Sequence, residues 1–190
     1  MDARSRGQGG NLTADWLAAA RARPIAAAAA TVALLAAATI LGAWFFQFVV
    51  GLPPCPLCYE QRYAYYFAIP LAVMVVIGEQ VGSRRRVLLA ALAMIAVGFV
   101  WNAVLGTYHS GIEWHWWPGP QECSGSIDLG TGGGLLNQLQ SISVVRCDQA
   151  AWRFLGISMA GYNVLISLTL AAIAAWGVFT ASRQMPKEER

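Results

Sequence analysis

The chain has 190 residues, of which 57% are hydrophobic and 12% charged, with a mean hydropathy of +0.48. That balance excludes an ordinary soluble domain and points to an integral membrane protein. The formal charge of +3 is small, and its basic residues form short clusters beside apolar runs, so no nucleic-acid surface is expected.

Four apolar segments follow one another. Ile25 to Val50 has no formal charge over 26 residues. As a helix it reaches about 39 Å, enough to cross roughly 30 Å of hydrocarbon with some tilt. It is too long for a signal-peptide apolar region, so it reads as a retained span. The second span is Tyr63 to about Val81, with Glu79 near its end; the third is Val87 to about Tyr108; the fourth lies within Phe154 to Ser182. Each satisfies its backbone polar groups internally as a helix. The expected fold is an all-α, four-transmembrane-helix bundle over residues 25–182. Residues 1–24 and 183–190 form tails, and 51–62 and 109–153 form loops on the opposite side.

Charge sets the orientation. Arg4, Arg6, Arg21, Arg23, Arg84, Arg85, Arg86, Arg183, Lys187 and Arg190 all fall on one side of this bundle, ten of the 13 basic residues. The other side has Arg62, Arg146 and Arg153 among Glu60, Glu113, Glu122, Asp128 and Asp148. The positive-inside rule puts both termini in the cytoplasm. All four cysteines, Cys55, Cys58, Cys123 and Cys147, then face the outer, oxidising compartment. Trp44, Tyr59, Tyr63, Trp114, Trp116, Trp117 and Trp152 collect at that interface, as an anchoring belt does.

The first outer loop contains Pro53-Pro54-Cys55-Pro56-Leu57-Cys58. The prolines stop span one and suit a helix start near Pro56. Both thiols then sit at a helix N-terminus, where thiolate is favoured. Arg62 lies one turn beyond Cys58. Its alternative roles are tuning that thiolate and binding an acceptor's carbonyl, or snorkelling to the headgroups. In the second outer loop Cys123 and Cys147 bracket the glycine-rich 130–134 turn. Leu135, Leu136, Leu139 and Ile142 are spaced for a short amphipathic helix on the membrane.

The cysteines admit a redox relay between two pairs, a Cys₄ zinc site, or structural disulfides. A non-CxxC second pair and an oxidising compartment weigh against zinc. A small CxxC ring is a poor staple. His109 has two readings, a group that binds a quinone-like carbonyl or moves a proton, and an interfacial histidine with no special role; Glu113 would pair with it if the helix continues. Asn102 and Asn163 suit helix–helix hydrogen bonding.

Pro54-Cys55-Pro56-Leu57-Cys58 followed by Gln61-Arg62 resembles the signature of the DsbB family of bacterial disulfide bond formation proteins. Tyr108 to Glu113, Gly119-Pro120 before Cys123, and Cys147-Asp148 followed by Trp152 extend the likeness from Ile25 to about Ser182. The resemblance implies a quinone-dependent oxidoreductase of the bacterial inner membrane that reoxidises a periplasmic DsbA-like thioredoxin-fold protein. Its catalytic cysteines would be Cys55, Cys58, Cys123 and Cys147. The reduced partner would attack Cys123, leaving Cys147 as the free thiol. Electrons would pass to Cys55–Cys58 and on to a ubiquinone or menaquinone beside Cys58, with Arg62 and His109 near its ring and no metal. A vitamin K epoxide reductase-like protein carries its loop cysteines and CxxC in the reverse order. A tetraspan scaffold accounts for neither the CxxC nor Arg62.

Overall fold

The computed structural model describes residues 18, 21–120 and 146–185. Four helices long and apolar enough to cross a membrane dominate it: α1 Pro24–Phe48, α2 Pro56–Gln80, α3 Arg85–Glu113 and α4 Met159–Arg183. Cys123, the glycine-rich 130–134 stretch and the amphipathic pattern at 135–142 lie outside the described residues.

Three of the four helix starts have an identifiable cause. Pro24 and Pro56 occupy first-turn positions, where a missing N–H costs nothing. Cys55 is the N-cap of α2, its Sγ accepting from the Cys58 N–H at 3.2 Å. Ser158 caps α4, accepting from the Gly161 N–H at 3.2 Å. The α1 N-terminus has no cap from its own Arg23. Instead the Ala26 N–H donates to Glu79 Oε2 at 2.6 Å, so an acid near the end of α2 closes the start of α1.

Two helices extend past their hydropathic limits. α2 starts at Pro56, seven residues before the apolar run at Tyr63. α3 runs five residues beyond Tyr108, to Glu113. Apolarity reports contact with lipid, whereas the helical hydrogen-bond ladder continues past it wherever the backbone is unobstructed. Both overshoots lie at the cysteine end of the bundle.

A two-residue hairpin feeds α4. Strands β1 (Arg153–Phe154) and β2 (Ile157–Ser158) pair antiparallel through a turn with positive φ at Leu155 and Gly156. That is the backbone of a type I′ turn. β2 ends on the residue that caps α4.

The core is built from small and branched residues: Ala28, Ala29, Val32 and Ala36 of α1, Ala68 and Ala72 of α2, Leu92, Ile95 and Phe99 of α3, and Leu170 and Ala174 of α4. Large apolar side chains such as Leu34, Met74, Val97, Trp101 and Phe179 point outward, as suits helices surrounded by lipid. Small residues let the backbones approach. A Cβ added to Gly177 would stand 2.5 Å from the Ala28 Cβ. At the cysteine end a second buried cluster joins Cys55, Leu57, Ile112 and Cys147.

Candidate functional site

The early start of α2 and the late finish of α3 bring Cys55, Cys58 and Arg62 against His109 and Glu113. The segment leading into the hairpin adds Cys147 and Trp152. Cys55 is 4% exposed, Cys147 1% and His109 3%. Cys55 Sγ lies 3.6 Å from His109 Nε2. The Cys55 and Cys147 sulfurs and a His109 ring nitrogen all lie within 4.8 Å of one another. Cys55 and Cys58 are free thiols, while Cys147 is disulfide-bonded. Cys123 lies outside the described residues.

The two thiols of the CxxC differ. Cys55 faces inward to Cys147 and His109. Its thiol is held well above the ordinary range, first by the hydrogen bond it shares with the Cys58 side chain and then by burial. Those outweigh the Cys58 backbone N–H, which acts in the opposite sense. Cys58 lines a cavity of about 350 Å³ that Cys55 does not reach.

That cavity runs between α1, α2 and α4. Its walls are mostly apolar, with Ile40, Phe46, Trp152 and Ile166 among them, and Cys58, Gln61, Arg62, His109 and Asn163 are among its polar groups. Phe46 and Trp152 pack with ring centroids 5.1 Å apart, and Trp152 stacks on Phe154 of the hairpin. Arg62 Nη1 donates to Gln47 Oε1 at 2.6 Å, and its guanidinium lies 5.3 Å from the Tyr59 ring centroid. With five N–H donors, a guanidinium held this way keeps others for a ligand in the cavity. Such a space fits a flat apolar ring bearing carbonyl oxygens.

Behind the cavity runs a hydrogen-bonded chain of polar side chains. The Tyr65 hydroxyl donates to Asn163 Oδ1 at 2.6 Å, Asn163 Nδ2 donates to Gln61 Oε1 at 2.6 Å, and Gln61 Nε2 meets His109 Nδ1 at 2.8 Å. Asn102 joins through Ser167 Oγ at 2.9 Å and Asn163 Oδ1 at 3.4 Å. The expected helix–helix role of Asn102 and Asn163 is thus seen, but it continues to His109. Glu113 Oε1 lies 3.9 Å from His109 Nε2, because α3 does continue far enough to place both on one face. Glu113 also meets the Ser158 side chain, and its backbone carbonyl accepts from Arg153.

Sequence reasoning singled out Arg62 and His109 but gave no separate role to Gln61, Tyr65, Phe46 or Trp152. The i, i+4 spacing of Gln61 and Tyr65 was the available signal for the polar chain. His115 stands apart with φ 59, in the turn after α3.

The family model described as "Disulfide bond formation protein DsbB" matches residues 25–177. A disulfide bond formation protein B of Verminephrobacter eiseniae is 30% identical over 83% of this chain and 90% of its own length. One from Aromatoleum aromaticum is 32% identical over 69% of this chain and 78% of its own. An uncharacterized protein of Rickettsia prowazekii is 26% identical over 84% and 90%. No solved structure matches. With four membrane-spanning helices, a CxxC at the start of the second, and a family match that covers most of its length, the chain belongs to the DsbB family of membrane disulfide bond formation proteins.

Proposed function

We propose that the protein reoxidises a DsbA-like thioredoxin-fold protein and passes the electrons to a membrane quinone. Its termini lie in the cytoplasm and its cysteines in the periplasm. The observation that carries this reading is the division of labour in the CxxC. Cys55 shares a buried site with Cys147 and His109, while Cys58 opens on the cavity with Arg62.

The sulfur chemistry balances as two exchanges. A thiolate of the reduced partner attacks Cys123, forming a mixed disulfide and releasing the Cys147 thiolate. The second partner thiol then closes the partner's own disulfide and frees Cys123. Cys147 attacks Cys55 of an oxidised CxxC; the Cys147–Cys55 bond forms, the Cys55–Cys58 bond breaks, and Cys58 leaves as thiolate. Cys123 then attacks Cys147; the Cys123–Cys147 bond is restored and Cys55 leaves as thiolate, so the electron pair now rests on the reduced CxxC. The 4.8 Å grouping of Cys147, Cys55 and His109 supports Cys55 as the sulfur attacked. A quinone, when bound, supplies a two-electron acceptor. Arg62 would donate hydrogen bonds to a carbonyl oxygen of that group, Phe46 and Trp152 would shield it from water, and His109 lines the same space.

Purified protein mixed with a reduced thioredoxin-fold donor and ubiquinone should reduce the quinone, followed by its ultraviolet absorbance. Cys55→Ser and Cys58→Ser should each abolish the reaction. Normal turnover in either variant removes the relay. Cys147→Ala should trap a mixed disulfide with the donor at Cys123, read by peptide mapping; a bond mapped to Cys55 reverses the assignment.

A further inference from the structure

The two ring nitrogens of His109 face different partners. Nδ1 lies 2.8 Å from Gln61 Nε2, and Nε2 faces Cys55 Sγ at 3.6 Å and Glu113 Oε1 at 3.9 Å. The Cys147 backbone carbonyl also accepts from the ring. The first contact decides where the proton sits. Gln61 has its Oε1 engaged by the Asn163 N–H at 2.6 Å, so its other amide atom presents an N–H to Nδ1. Asn163 is oriented in turn, because its Oδ1 accepts from the Tyr65 hydroxyl and from Asn102. Every donor in the chain points toward His109. Nδ1 must therefore offer a lone pair. A doubly protonated ring would set two N–H groups against each other at 2.8 Å. Reversing the order requires Gln61, Asn163 and Asn102 to turn their amides over together.

We propose that Gln61 and Asn163 are positioning residues that hold His109 as its neutral Nε2–H tautomer, with its single N–H aimed at Cys55 Sγ and Glu113 Oε1. The tautomer is a property of the resting fold; its consequence rests on the relay reading above. During exchange between Cys147 and Cys55, negative charge starts on the attacking Cys147 sulfur and passes through Cys55 to the leaving Cys58. The attacking and attacked sulfurs lie within 4.8 Å of the ring. An N–H aimed at that point stabilises the charge, since hydrogen bonds to charged groups are the strong ones. The ring need not give up its proton, so the electron and proton count of the exchange is unaltered. The Nδ1–H tautomer would turn a lone pair toward the sulfurs and remove this help. Glu113 is 6% exposed and its Oε1 lies 3.9 Å from Nε2, so its carboxyl faces the same N–H.

The chain has two histidines, His109 and His115, so ¹⁵N-histidine labelling reports on only two rings. His115→Asn assigns them, since asparagine tolerates the positive φ found there. In the reduced protein, without donor or quinone, His109 should show a pyridine-type Nδ1 and a pyrrole-type Nε2. Gln61→Glu keeps the shape but puts a carboxylate oxygen where the N–H was, so Nδ1 should become protonated. Gln61→Met, which offers neither group, should give an averaged tautomer pattern. Gln61→Glu should also slow the thiol exchange roughly ten- to a hundredfold. A wild-type Nδ1–H pattern, or a pattern unmoved by both substitutions, overturns the proposal and leaves the relay standing. The expected tautomer in a protein that reduces no quinone does the reverse.

Discussion

The two ends of the bundle use the same kinds of polar residue for opposite purposes. At the arginine-rich end Glu79 closes the start of α1, and Arg85 donates to the Ala181 carbonyl at 2.9 Å and to Gln184 Oε1 at 3.2 Å, closing the end of α4. Gly177 and Ala28 meet almost backbone to backbone between those caps. At the cysteine end the helices carry extra turns beyond the lipid-facing pattern, and their polar groups point at one another and into a cavity. The arginine-rich end spends these polar atoms on helix termini; the cysteine end caps its helices too, but also gathers polar atoms around the sulfurs and the cavity. Position along the bundle, more than residue type, separates structure from chemistry here.

Substitutions can separate the ends. Gly177→Ala drives a methyl into Ala28 and Leu92 and should cost about 1–3 kcal/mol, as overpacking does. Thermal unfolding in micelles should show the loss, Ala28→Gly should return part of it, and the turnover of the folded fraction should hold. An unshifted midpoint would mean that the helices are not held as closely as their glycine contact indicates. Arg62→Ala should do the converse. The KM for quinone should rise about tenfold, near 1.4 kcal/mol, with stability and donor kinetics little changed. Unchanged quinone dependence would return Arg62 to a snorkelling role. Glu79→Ala removes the acceptor from the α1 N-terminus and should cost about 1 kcal/mol, the usual cost of a lost cap. It should lower the unfolding midpoint without moving either KM; a change in quinone KM would show that the two ends communicate.

Much of this was legible from residue order alone. Uncharged length gave the four spans, and proline chemistry gave the α2 start at Pro56, where hydropathy pointed to Tyr63. The extension of α3 was legible only as a condition, because apolarity ends at Tyr108 while the helix does not. Cys55 and Cys58 stood out by their two-residue spacing at the end of an apolar run, and Arg62 because a guanidinium is costly at a lipid edge. The chain from Tyr65 through Asn163 and Gln61 to His109 could not be read, since it depends on which faces of α2, α3 and α4 meet. The Glu79 cap was hidden for the same reason: its donor, Ala26, belongs to another helix. Sequence reveals what one helix needs, but not which neighbour supplies it.

The smallest effect expected lies on the segment that carries Cys147. Arg146 donates to both Asp148 oxygens, at 2.9 and 2.6 Å, and this holds the Asp148 carboxyl below the usual carboxylate range. A depressed carboxylate contributes stability that is fully present above its unfolded value of about 3.9 and is lost as pH falls through the folded value. The contribution should therefore be flat between pH 5 and 8 and fade only in stronger acid. Arg146 is exposed, so salt should screen the pair and Asp148→Asn should shift unfolding only at the edge of detection. The more telling measurement is the rate at which reduced donor engages the loop. If Asp148→Asn leaves that rate unchanged at low salt, burial of Cys147 beside Cys55 and His109 suffices to hold the sulfur in place. A clear slowing that salt reproduces in the wild type would make this surface pair part of how the cysteine end presents its second disulfide.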